Sequence, residues 1–115
     1  MIAADLEYAK TISISRGQSF SVVFDKAAES YRIEDEISAV IAHPVKKGFG
    51  YIIDFQNDSR LSKVDIVHVD FDPGSDSTIT FDYLGSPYSG SGISTPLNTG
   101  VICLRARQLI APINK

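Results

Sequence analysis

The sequence predicts an α+β domain: one N-terminal α-helix packed on antiparallel β-sheets of about seven to eight strands. Three observations predict it. Residues 2–16 carry a helical period and end at a glycine. From Phe20 onward, short apolar or alternating runs recur, with turn signals between them roughly every ten residues. No repeat, linker or long low-complexity segment interrupts the chain, so residues 1–115 read as one domain, with the helix over 1–16 and a β-rich body over 17–115.

Within the helix, Ile2, Leu6, Ala9 and Ser13 fall within about 60° of one another, with Ile12 at the margin. Glu7, Lys10, Thr11 and Ser15 lie on the other side. The narrow apolar stripe is the expected docking and assembly face. Gly17 supplies the residue after the helix end, and Arg16 places a cation at the negative end of the helix dipole. No Ser, Thr, Asp or Asn precedes Ile2, so the start carries no capping signal. A well-marked stop without a start leads to the expectation that 2–16 is the second half of a longer helix.

After Gly17 the period becomes two-fold. Phe20, Val22 and Phe24 alternate with Ser19, Ser21 and Val23, as on a half-buried strand. A short polar connection over 25–30 and a second alternating run over 31–35 complete a hairpin. Residues 36–42 fit either a helical turn or a short strand, 43–48 read as loop, and 50–55 as a strand. In the run from Val64 to Phe71, Val64 and Ile66 share one face while Val67, Val69 and Phe71 share the other. Either a β-bulge or a strand serving two faces accounts for such a phase change. Asp72-Pro73-Gly74-Ser75-Asp76-Ser77 marks a turn, and Thr78–Asp82 a strand with Ile79 and Phe81 inward. Leu84–Pro87 is a further turn and 88–99 a loop rich in Gly, Ser, Pro and Thr. Gly100–Ala106 reads as a central strand and Gln108–Ile113 as a last one.

Composition narrows the function classes. At 115 residues with 43% hydrophobic content, the chain is long enough to bury a core of its own. A formal charge of −3 argues against nucleic-acid binding through the overall field. The single cysteine, Cys103, excludes an intrachain disulfide and any multi-cysteine metal site. No stretch approaches the ~20 apolar residues that cross a bilayer.

Residue patterns that could carry chemistry are sparse. His43 and His68 have no further ligand at metal spacing, whereas zinc requires three or four. Asp70, Asp72 and Asp76 flank the Pro-Gly turn without the EF-hand spacing or its closing Glu, so capping of the turn is the simpler role. Ser89-Gly90-Ser91-Gly92 carries no Lys and precedes no helix, unlike a phosphate loop. There is no Gly-x-Ser-x-Gly elbow. No catalytic residue, metal or cofactor is therefore expected. Arg105 and Arg107 alternate on one face of a late strand, where they either contact a ligand or keep an edge soluble. Tyr88 and the 84–99 loop are further candidates for ligand or DNA contact.

Three stretches together resemble a known family. They are Asp5–Lys10 followed by Ser13-Ile14-Ser15-Arg16-Gly17-Gln18-Ser19-Phe20-Ser21-Val22, then Ile79-Thr80-Phe81-Asp82-Tyr83-Leu84-Gly85-Ser86-Pro87, and then Gly100-Val101-Ile102-Cys103-Leu104. In this order they resemble the H-type minor pseudopilins of type II secretion and the related FimT-like minor pilins. The resemblance covers both ends of the domain and leaves 36–75 unmatched. Ile12, Ser13 and Ser19 stand where the family pattern has a polar or acidic residue, Ala and Pro.

The resemblance implies a non-enzymatic structural subunit of a pseudopilus or pilus-like fibre, with a cleaved leader and a hydrophobic helix half ahead of residue 2. It implies an inner-membrane anchor, with this domain in the periplasm or outside the cell. The implied partners are other pilins or pseudopilins of the fibre, with a secreted substrate or the secretin as further possible contacts. The rival expectation is a ligand- or DNA-binding β module acting through the 84–99 loop or the C-terminal arginines.

Overall fold

The computed structural model describes residues 2–44, 48–55, 64–74 and 76–106. The chain is α+β, with one N-terminal helix followed by antiparallel sheets. Helix α1 spans Ile2–Arg16; the strands are β1 (Phe20–Asp25), β2 (Ser30–Glu34), β3 (Ile52–Asp54), β4 (Val64–Asp72), β5 (Thr78–Phe81), β6 (Pro87–Ser89) and β7 (Thr99–Ala106). Five of them form a sheet in the order β3-β2-β1-β5-β6, and β4 pairs with β7 in a second sheet.

The end of α1 is set by backbone chemistry at Gly17. Its φ of 64° lies in the left-handed region, which glycine enters without a Cβ clash. There the Gly17 amide bonds the Ile14 carbonyl at 3.4 Å and the Gln18 amide bonds the Ser13 carbonyl at 3.2 Å. This pair of bonds is a Schellman motif, satisfying carbonyls that the helix leaves open. The Arg16 guanidinium then sits 5.7 Å from the Phe20 ring centroid, bridging the helix exit to the first strand.

The core lies on one face of the five-stranded sheet. β1 is central, and its register sets Phe20 opposite Phe81, Val22 between Ile33 and Ile79, and Phe24 opposite Tyr31. All of these side chains are buried. Helix α1 lies over β1 and β5. Phe55 meets Tyr31 edge-on, with ring centroids 6.1 Å apart, and Phe71 of β4 closes against Phe24 at 5.9 Å.

β4 contains the irregularity that its sequence phase predicts. Its register with β7 shifts between Ile66 and His68. Ile66 and Phe71 are both buried in the core, although an unbroken strand would point residues of that spacing to opposite faces. At the bulge, the Ile66 amide bonds the Glu29 carboxylate at 2.6 Å.

Four expectations need correction. Thr78–Phe81 is buried along its whole length, Thr78 and Thr80 as well as the expected Ile79 and Phe81, with the Gly90 amide bonding the Thr78 carbonyl at 2.8 Å. There Ser21 and Thr80 share a 2.7 Å hydrogen bond, and Thr80 donates to the Gly90 carbonyl at 2.7 Å. The stretch from Tyr88 is not loop throughout: Pro87–Ser89 is an edge strand, and the chain returns beside it through Ser89 N–Thr95 O and Leu97 N–Pro87 O bonds. Among the described residues β7 is not central but pairs with β4 alone in the second sheet. Residues 36–42 form neither a helical turn nor a full strand. Asp35 accepts from the Ile37 and Ala39 amides in a tight turn, and isolated bridges follow at Val40 and Ala42. The strand expected over Gln108–Ile113 lies outside the described residues.

Candidate interaction surfaces

The helix stripe meets this chain's own sheet. Ala9, Ile12 and Ser13 are buried, and Ile2 and Leu6 are partly buried against the core. Alanine at position 9 presents only a methyl group, so the helix can approach the sheet closely. Ser13 uses its hydroxyl twice, toward the Ala9 carbonyl at 2.8 Å and the Phe81 carbonyl at 3.3 Å. A hydroxyl buried at the seam is thereby satisfied by its own helix and by the end of β5 beneath. Glu7, Lys10, Thr11 and Ser15 remain exposed on the opposite side.

Asp5 lies on the same stripe, one turn before Ala9, and carries a polar function that the apolar pattern hides. Its two carboxylate oxygens accept hydrogen bonds from the Tyr31 and Tyr51 hydroxyls. Tyr51 is stacked between Tyr8, at 5.3 Å between centroids, and His43, at 4.8 Å. Burial, followed by the hydrogen bond to Asp5 and the charge it carries, pushes the Tyr51 phenol well above its ordinary range. The carboxylate thus clamps the N-terminal half of α1 to β2 and to the chain entering β3. A signal for this was present: Asp5 falls at helical spacing with Ile2 and Ala9.

Behind the sheet, the 91–93 segment forms one wall of a cleft of about 210 Å³. Ser21 and Thr80 form its floor, and residues 34–36 with Ser38 form the facing wall. Each acid there already has a partner: Glu34 pairs with Arg32, Asp35 holds its own turn, and the Glu36 carboxylate accepts from the Ser19 amide at 3.2 Å. No Lys or Arg lines the cleft among the described residues.

The candidate contact residues do not converge. The Tyr88 hydroxyl donates to Asp82 Oδ2 at 2.9 Å, inside the turn that leads from β5 to β6. Asp82 Oδ1 accepts from the Leu84 and Ser86 amides at 3.0 and 2.9 Å. The Ser86 amide first, together with the Tyr88 hydroxyl and the neighbouring amides, holds the Asp82 carboxyl below its ordinary range. The same hydrogen bond, with burial and the Asp82 charge, raises the Tyr88 phenol. Arg105 stands opposite Asp65 in the β4–β7 sheet, while Tyr88 belongs to the other sheet. Arg107 lies outside the described residues.

Among the remaining candidates, Asp76 Oδ1 accepts from the Ser77 and Thr78 amides, closing the turn before β5. His68 and Cys103 are register partners on β4 and β7. No group of three or more His, Cys, Asp or Glu residues suited to a metal occurs among the described residues. No helix among them is long and apolar enough to cross a membrane. No protein-family model, curated protein or solved structure matches this chain.

Proposed function

We propose that this chain is the globular part of a minor pseudopilin, a non-enzymatic structural subunit of a type II secretion pseudopilus or a type IV pilus-like fibre. The observation that supports it most is the arrangement of α1. The helix comes first, ends at Gly17 in a Schellman motif, and lays one face on the sheet through Ala9, Ile12 and Ser13. Its other face, through Ala4, Glu7 and Thr11, stays open to neighbouring subunits. The motif resemblance adds weight at the same seam, since Gly85 of the Ile79–Pro87 stretch packs against Ile14 and Lys10 of the helix.

On this reading a hydrophobic helix half precedes residue 2, anchors the subunit in the inner membrane and bundles with its counterparts in the fibre. The β body decorates the outside, in the periplasm or beyond the cell. Its partners are the other pilins or pseudopilins of the fibre.

A photo-crosslinking side chain in place of Ala4 or Thr11, in cells that assemble the fibre, tests the reading. Crosslinks to pilin-like subunits that vanish when assembly is blocked support it. An unchanged monomer band under assembly conditions contradicts it.

A further inference from the structure

We infer that the end of the five-stranded sheet at which α1 finishes is a self-association surface, occupied by a second copy of this chain across a two-fold axis. The inference goes beyond the fibre reading and does not rest on it. Strand register brings the surface together. Phe20 pairs with Phe81 and Ser21 with Glu34, so the turn after β2, the turn after β5 and the helix exit share one end. The Ser19–Glu36 bond joins the helix exit to the first of these turns. Close packing joins it to the second, since a Cβ added at Gly85 would come within 2.9 Å of Ile14 Cδ1.

That end exposes large apolar side chains: Ile14 is 52% exposed, Ile37 83%, Tyr83 57%, Leu84 67% and Ile93 50%. Side chains of this size gathered at one end, amid polar neighbours, mark a contact surface. Charge divides the surface in two. On the helix side, exposed Lys10 lies one turn before Ile14, and exposed Arg16 stands at the helix exit beside Phe20. On the cleft side Asp35 and Glu36 line the cleft with Ile93, Ile37 belongs to the same Asp35 turn, and no Lys or Arg lines the cleft among the described residues.

A two-fold axis sets the basic half of one copy on the acidic half of the other, and repeats the contact with the roles exchanged. Five apolar side chains per copy leave water in the same step. The surface is complementary to itself in both charge and hydrophobicity, which identifies the occupant as a second copy. A contact of this extent belongs to the weak, transient class, with Kd on the order of micromolar to millimolar.

Sedimentation equilibrium from roughly 10 µM to 1 mM reads the association directly. The expected result is a monomer–dimer equilibrium that weakens with salt. Leu84→Asp and, on the other half, Ile37→Asp each abolish the dimer while leaving thermal unfolding near that of the parent. The double variant Lys10→Glu/Arg16→Glu and the single variant Glu36→Lys each weaken self-association at least about tenfold, equivalent to ~1.4 kcal/mol. An equimolar mixture of those two variants regains a dimer, because one of its two contacts is then the parental one and in the other the two introduced glutamates face the lysine introduced at position 36. A chain that stays monomeric throughout overturns the inference, as does a dimer indifferent to Leu84→Asp and Ile37→Asp. Neither result bears on crosslinking through Ala4 or Thr11.

Discussion

The Ser13 hydroxyl lies 3.3 Å from the Phe81 carbonyl, joining the helix to a strand 68 residues later in the chain. A fully buried small polar residue at this seam sets how closely α1 approaches the sheet. Ser13→Ala removes one shared hydrogen bond and is expected to cost about 0.5–1.5 kcal/mol. Ser13→Leu forces extra methylenes into a closed seam and is expected to cost about 1–3 kcal/mol. Leu6→Ala, in a half-buried position, is expected to cost about 2 kcal/mol, the low end for such truncations. Urea unfolding of the three variants checks the order, and a Ser13→Leu variant as stable as the parent would show that the helix does not dock here.

Gly17 and Gly85 both sit at positive φ, 64° and 83°, but only one has a crowded side. Nothing lies within 4 Å of a Cβ added at Gly17, whereas one at Gly85 meets Ile14. Gly17→Ala is expected to cost about 1 kcal/mol, from backbone strain alone. Gly85→Ala is expected to cost more, because Ile14 must also move. Equal losses on thermal unfolding would remove the claimed contact between the β5–β6 turn and the helix.

Tyr51 gives the fold an alkaline limit. Its phenol is raised above the unfolded value near 10, so between those two values the unfolded chain releases a proton that the native chain keeps. Stability from this group is full below pH 10 and falls as pH rises through the folded value. Tyr51→Phe is expected to flatten the alkaline side of a stability–pH profile. At pH 7 it should cost about 1.5–3 kcal/mol through loss of a hydrogen bond to a carboxylate. An unchanged alkaline slope in the variant would contradict the Asp5–Tyr51 pairing.

Asp82 acts in the opposite direction. Its carboxyl is lowered from 3.8, so its contribution is full above that value and is lost as pH falls through the folded value. Asp82→Asn is expected to lower the melting temperature at pH 7, with the deficit shrinking as pH drops below 3.8. A deficit independent of pH would indicate that turn geometry, rather than charge, is what the substitution disturbs.

The helix, its stop at Gly17, the first hairpin and the bulge in β4 were legible because each rests on local chemistry: a period, a glycine or a phase change. The full burial of β5 was not, because it depends on partners of Thr80 from Ser21 and Gly90, contacts that leave no mark on the alternation of Thr78-Ile79-Thr80-Phe81. The place of β7 was misread for a related reason. An apolar run reports burial but not which strand lies beside it. Asp5 was overlooked as a structural acceptor because an acid in the first turn of a helix already has a reason to be there, the dipole. Its two phenol donors come from residues 31 and 51, beyond the reach of any local pattern. The acidic wall at 34–36 likewise became part of a cleft only once the 91–93 segment was placed against it.

The fibre-subunit account turns on what precedes α1. Mass spectrometry of the N-terminal peptide, on the protein purified from the membranes of its own cells, tests that most directly. The account predicts a processed N-terminus ahead of about 20 apolar residues that lead into Ile2. A protein recovered from the cytoplasm with its N-terminus at Met1 would contradict it.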